Sequence, residues 1–137
     1  MYTLATWTAV LALPMQTIAF EPREATIASV HHDLYTGLTT CREVVSSFLS
    51  RIEALNNHTN AILTLNPHAL DLADECDAKL SSGNGTLGPI FCIPTLLKDN
   101  YDTAAMPTTG GNLDLAQSQP TVDAPAVTAL KLSLIHI

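Results

Sequence analysis

Lys98 is the residue of this chain best placed to do chemistry. It closes the apolar run 88–97, GPIFCIPTLL, and is followed at once by Asp99 and Asn100. Lysines seldom enter a core unless they are paired or functional. Desolvation disfavours the ammonium form, and the free amine that results can act as a base. Lowering a lysine from ~10.4 to ~7 corresponds to about 4–5 kcal/mol of bias against the charged form. Asp99 and Asn100 are candidates either to orient Lys98 or to hold the backbone of its loop. Thr108, Thr109, Gly110 and Gly111 follow shortly after. They could form an anion-binding nest of backbone N–H groups or a plain flexible loop.

Other groups are weaker candidates. Asp71, Asp74, Glu75 and Asp77 crowd one stretch, and a solvated helix face is the expected reading rather than a cation site. His31 and His32 are adjacent and point apart on a helix, so they make no metal pair. His58 and His68 are expected at the surface or at caps. No metal site follows from these residues. The three cysteines, Cys41, Cys76 and Cys92, form no even disulfide framework. Cys76 and Cys92 are therefore expected as buried thiols. A Cys92 nucleophile finds no histidine placed to partner it.

The elements that must position these groups are legible in outline. Residues 26–36 read as a short helix ended by Gly37. Thr40-Cys41-Arg42-Glu43 reads as a capping box, opening a helix to about Leu55 with Val44, Val45, Phe48, Leu49, Ile52 and Leu55 on one stripe. Residues 56–60 read as a turn and 61–65, AILTL, as a short strand. Pro67 suits a helix's first turn, and Ala69, Leu72, Ala73, Cys76 and Leu80 mark that helix's inner face. Residues 81–87 read as a loop. Pro94 argues against a central strand in 88–98, so an irregular, partly extended run carries Lys98 into apolar surroundings. A last helix is expected over about 126–132.

Residues 88–111, GPIFCIPTLLKDNYDTAAMPTTGG, resemble the opening block of the amidase signature family of serine hydrolases. The resemblance extends upstream through 36–80 and downstream through 118–131. The KDNYDT string and Cys92 are similar to secreted fungal members. The family implies an α/β fold with a mixed central sheet covered by helices, here its N-terminal part only. It implies hydrolysis of amide or ester bonds by a lysine and two serines, with no metal or organic cofactor. The lysine, neutral at rest, works through a bridging serine to activate the nucleophile, and an acyl-enzyme follows. Lys98 matches the catalytic lysine, and 108–111 fall where the family places its active site. The serines of this chain are Ser29, Ser46, Ser47, Ser50, Ser81, Ser82, Ser118 and Ser133. None matches the glycine- and serine-rich block that carries the family's serines and oxyanion donors.

Composition limits the alternatives. The net charge is −7, 47% of residues are apolar and 5% aromatic. An acidic chain lacks the basic stripe that nucleic acid requires and the cations that anionic membranes attract. Residues 1–19 read as a secretory leader, uncharged, with an apolar stretch over 4–13, Pro14 and small residues before a cleavage point near Ala19, the alternative being an apolar N-terminal helix of the fold. That stretch is too short for a span of ~20 residues, so no stable membrane anchor is expected. Two sequons, at Asn57 and Asn84, lie in expected turns and agree with secretion. Residues 20–131 form the family-like part. The tail 132–137, LSLIHI, departs from the family pattern and is expected to be a truncation or an artefact.

The resulting expectation is an N-terminal portion of a secreted amidase-type hydrolase acting on a small-molecule amide or ester. Without either serine these 137 residues are expected to be inactive, with exposed apolar faces and a partly molten core. The competing expectation is a non-catalytic secreted isoform or pseudoenzyme that binds a ligand or partner.

Overall fold

The computed structural model describes residues 20–83, 88–104 and 106–134. The leader-like stretch 1–19, the sequon asparagine Asn84 and the end of the tail lie outside them. Four helices are present: α1 (Ile27–Thr36), α2 (Cys41–Thr59), α3 (Ala69–Ser82) and α4 (Pro125–Leu134), with a 3-10 turn at Leu113–Leu115 before the last.

Local chemistry sets the first two helices. Thr26 caps α1 by accepting the Ser29 N–H at 3.1 Å, while the Ser29 hydroxyl accepts the Thr26 N–H at 2.9 Å. Gly37 ends α1 at φ 72°, a left-handed conformation that costs glycine nothing. The expected capping box opens α2: Thr40 Oγ1 accepts the Glu43 N–H, and Glu43 reaches back to the Thr40 N–H, both at 3.1 Å. An N-cap of this kind contributes about 1 kcal/mol.

α2 runs four residues past the expected stop at Leu55. Asn60 terminates it instead, at φ 48°, donating its N–H to the Asn56 carbonyl at 2.7 Å. Asparagine is the side chain that best tolerates this left-handed cap after glycine.

The expected strand 61–65 does not form, and no strand is present among the described residues; an isolated antiparallel bridge joins Thr103 to Met106. A strand exists only where a neighbour satisfies its backbone. Here the Asn56 side chain takes that place, donating Nδ2–H to the Ile62 carbonyl and accepting the Ile62 N–H, both at 2.8 Å. The mixed central sheet expected of the fold is therefore missing from the described part, which is helical.

α2 packs against α3 through small side chains. Cys41, Val44 and Val45 are buried against Ala69, Ala73 and Cys76, and Phe91 and Cys92 close the same core. Burying a valine or phenylalanine side chain stabilises by about 1.5–3 kcal/mol. The apolar stripe of α2 is covered only over its first half. Phe48, Leu49 and Ile52 are half-buried and Leu55 is exposed. No helix among the described residues is long and apolar enough to cross a membrane.

The acidic stretch of α3 is more than a solvated face. Asp77 caps α2 from outside, accepting the Cys41 N–H at 2.7 Å and the Arg42 N–H at 3.0 Å. Asp74 pairs with the Arg42 guanidinium. The hydrogen bond to Asp74, then its charge, holds that guanidinium above its ordinary pKa. A carboxylate at a helix N-terminus is favoured by the orphan N–H groups and the helix dipole.

Candidate active site

Lys98 lies at the edge of an open groove of about 570 Å³. Its walls come from the uncovered half of α2 (Phe48, Ile52), from Leu65, from Leu97, and from Val127 and Leu130 of α4. The lysine itself is exposed. The expected carriage of this amine into a closed core is thus not met. The apolar run behind it divides: Phe91 and Cys92 are buried, while Leu96 is 72% exposed along the groove rim. Residues 94–97 follow the mouth of the groove instead of crossing the core, so water reaches the residue that ends the run.

The loop after Lys98 is locked from within. The Asp99 carboxylate accepts the Thr109 N–H at 2.9 Å, the Thr109 hydroxyl, and the Gly111 N–H at 3.3 Å. The Asp99 carbonyl accepts the Gly110 N–H at 2.9 Å. Of the two readings open at 108–111, a nest or a flexible loop, these hydrogen bonds favour a nest whose anion is the chain's own aspartate. Gly110 and Gly111 have φ values of 57° and 79°, which let the Thr109 and Gly111 N–H groups turn toward the carboxylate and the Gly110 N–H toward the Asp99 carbonyl. These hydrogen bonds favour the ionised acid, the Thr109 hydroxyl most, and hold the Asp99 pKa below the ordinary carboxylate value.

Asp99 therefore holds its loop, one of the two roles open to it from sequence. Thr108 also belongs to the loop scaffold, donating its N–H to the Ser118 carbonyl at 2.9 Å and its hydroxyl to the Tyr101 carbonyl at 3.3 Å. Asn100 is exposed beside Lys98. The loop is tied onward to α4: the Asp102 carbonyl accepts the Ala124 N–H at 2.8 Å, and Asp123 accepts the Ala104 N–H at 2.9 Å. Lys131 pairs with Asp123 at 2.6 Å, with both side chains about four-fifths buried (21% and 18% exposed).

No serine lines the groove among the described residues. Nor do they contain a cluster of three or more His, Cys, Asp or Glu arranged for a metal. Asn57 is exposed, but in the last turn of α2 and not in the expected turn.

One feature escaped sequence reasoning altogether. Cys41 and Cys92 form a disulfide, with Cα atoms 5.4 Å apart across 51 positions of sequence. Cys92 is thus no thiol, whereas Cys76 is buried as expected and burial pushes its thiol pKa up. Three cysteines leave room for one pair to oxidise, but nothing in their spacing says which pair. Beside the disulfide, His31 Nε2 donates to the Phe91 carbonyl at 2.9 Å.

Comparison with known proteins agrees with this anatomy. The amidase family matches residues 43–135. A glutamyl-tRNA(Gln) amidotransferase polypeptide of Zea mays chloroplasts and mitochondria is 32% identical over 124 residues, which are 89% of this chain and 23% of that protein. The native peptide amidase of Stenotrophomonas maltophilia superposes with a TM-score of 0.75 at 34% identity, covering 80% of this chain and 23% of that one. An amidase family protein of Bacillus anthracis superposes with a TM-score of 0.76 at 27% identity, covering 82% and 23%. The chain thus spans under a quarter of the length of these relatives. The family match, over more than half of the sequence and across the Lys98 loop, shows that this chain belongs to the amidase family.

Proposed function

We propose that this chain supplies the lysine arm of a Ser–Ser–Lys hydrolase, with Lys98 as the base. The observation that carries the reading is the coincidence of Lys98 with the family match and with the Asp99 lock. That lock fixes the backbone beside the amine without occupying the amine. In the proposed chemistry the neutral lysine takes a proton from a bridging serine, which in turn activates the nucleophilic serine toward an amide or ester carbonyl. No cofactor is needed for that sequence of steps. The 137 residues alone offer neither serine and are proposed to be inactive by themselves. The substrate is proposed to be a small-molecule amide or ester, and the peptide amidase among the similar structures supports the amide.

Secretion is proposed on three supports. The leader-like residues 1–19 are uncharged, Asn57 is an exposed sequon asparagine, and a Cys41–Cys92 disulfide is the kind of bond that persists in oxidising compartments. A second reading, a non-catalytic binding protein, is favoured by the open apolar groove, whose wall has no serine among the described residues. The two separate in a transplant. Residues 36–131, which keep the Cys41–Cys92 pair together, replace the matching segment of the Stenotrophomonas peptide amidase, and amide hydrolysis is compared with and without Lys98→Ala. The hydrolase reading requires activity that depends on Lys98, and the binding reading requires none.

A further inference from the structure

We infer that the Cys41–Cys92 disulfide positions Lys98, by clamping the segment that leads to it onto the helical core. The central core contains α1, α2 and α3 side chains and ends, in sequence, with Phe91, Cys92 and the half-buried Ile93. Residues 91–93 are therefore the joint between the helices and the Lys98 loop. Three features converge on that joint. Phe91 is buried to 1% exposure, its carbonyl accepts from His31 of α1, and Cys92 is bonded to the first residue of α2. Cys92 also holds φ at 58°, a left-handed conformation that a non-glycine residue keeps only where its surroundings impose it.

The clamp decides how far Lys98 can wander. From Cys92 the amine-bearing residue is six positions away, a reach of at most ~20 Å, whereas from Ser82 at the end of α3 it is sixteen positions away, at most ~55 Å. The Asp99 lock does not substitute for the clamp. It ties the residue after Lys98 to the 109–111 loop, and the neighbouring 102–104 stretch is tied to the residues that lead into α4.

Opening the clamp is a two-electron step. A dithiol reductant gives up two electrons and two protons, the Sγ–Sγ bond becomes two thiols, and the reductant leaves as its cyclic disulfide. The consequence for catalysis rests on the reading of Lys98 as the base; the clamp itself is measured without turnover.

The test is nitrogen-15 NMR of the oxidised chain, the dithiol-reduced chain and the Cys41→Ser/Cys92→Ser variant, with helix content followed by circular dichroism. The Phe91 and Ile93 amides, bonded to the Gly88 and Ile90 carbonyls at 3.1 Å, report the joint. On opening, their exchange protection should fall at least about tenfold. The Lys98 order parameter should fall from roughly 0.85 to below about 0.6. The Thr109, Gly110 and Gly111 amides and the helix signal should stay as they were. Unchanged Phe91, Ile93 and Lys98 amides would overturn the inference. So would a collapse of the helices together with the joint, because the disulfide would then be a general staple. Neither result bears on whether Lys98 is catalytic, which the transplant decides separately.

Discussion

The Asp99 carboxylate accepts both the backbone N–H and the hydroxyl of Thr109, ten positions later in the chain. Lys98 is thus the neighbour of a residue that is fully engaged elsewhere. These bonds tie the residue after Lys98 to the 109–111 loop and make Asp99 part of the loop scaffold.

The capture has a signature in pH. The Asp99 pKa is lowered in the folded chain, chiefly by the Thr109 hydroxyl and then by the Thr109 N–H. A depressed acid contributes stability that is fully present above its unfolded value, about 3.9. That contribution is lost as pH falls through the folded value. The Thr109, Gly110 and Gly111 amide shifts should therefore hold constant from neutrality down to about pH 4 and move only below it. A transition in these amides centred at or above the ordinary carboxylate value would contradict the lock.

Asp77 makes the corresponding test for the helical core. It bonds the first two N–H groups of α2 from the side of α3. Asp77→Ala should lower stability toward urea by about 1 kcal/mol, within the 0.5–2 range of lost N-caps. Asp77→Asn should recover part of the loss, since the amide oxygen still accepts. If Ala and Asn are both neutral, Asp77 does not cap α2.

The cysteines allow a count. In denaturant without reductant one thiol of the three should alkylate, that of Cys76, and all three should do so after reduction. Under native conditions Cys76 should react far more slowly than in denaturant, because it is 1% exposed and its thiol pKa is raised by burial. Three reactive thiols in unreduced denaturant would rule out the Cys41–Cys92 bond.

What could be read from sequence was what depends on near neighbours. The Thr40–Glu43 capping box and the Gly37 stop involve groups within a few positions, and both stand as expected. The helix faces followed from spacing, since Val44, Val45, Ala73 and Cys76 are all buried. Distant partners were illegible. The strand expected at 61–65 has the right residues, but its backbone meets the Asn56 side chain and not a second strand. Asp77 carries no local mark of capping a helix that begins 36 positions earlier. The cysteine pairing spans 51 positions, and three thiols leave three possible pairs. At the candidate site, the motif singled out Lys98 and the 108–111 loop as candidates, while the exposure of the lysine depends on what covers the groove. Spacing along the chain does not encode that cover.

The central claim is that Lys98 is a hydrolase's base, and the transplant into the peptide amidase tests it most directly. With residues 36–131 of this chain in place, the Cys41–Cys92 pair included, the chimera should hydrolyse a peptide amide. Lys98→Ala should lower kcat by roughly 10²–10⁴, the range of a lost general base. Lys98→Arg should not restore it, because a guanidinium does not deprotonate at working pH. Circular dichroism of the variants confirms that the fold is kept. A folded chimera whose turnover is the same with alanine at position 98 would contradict the account.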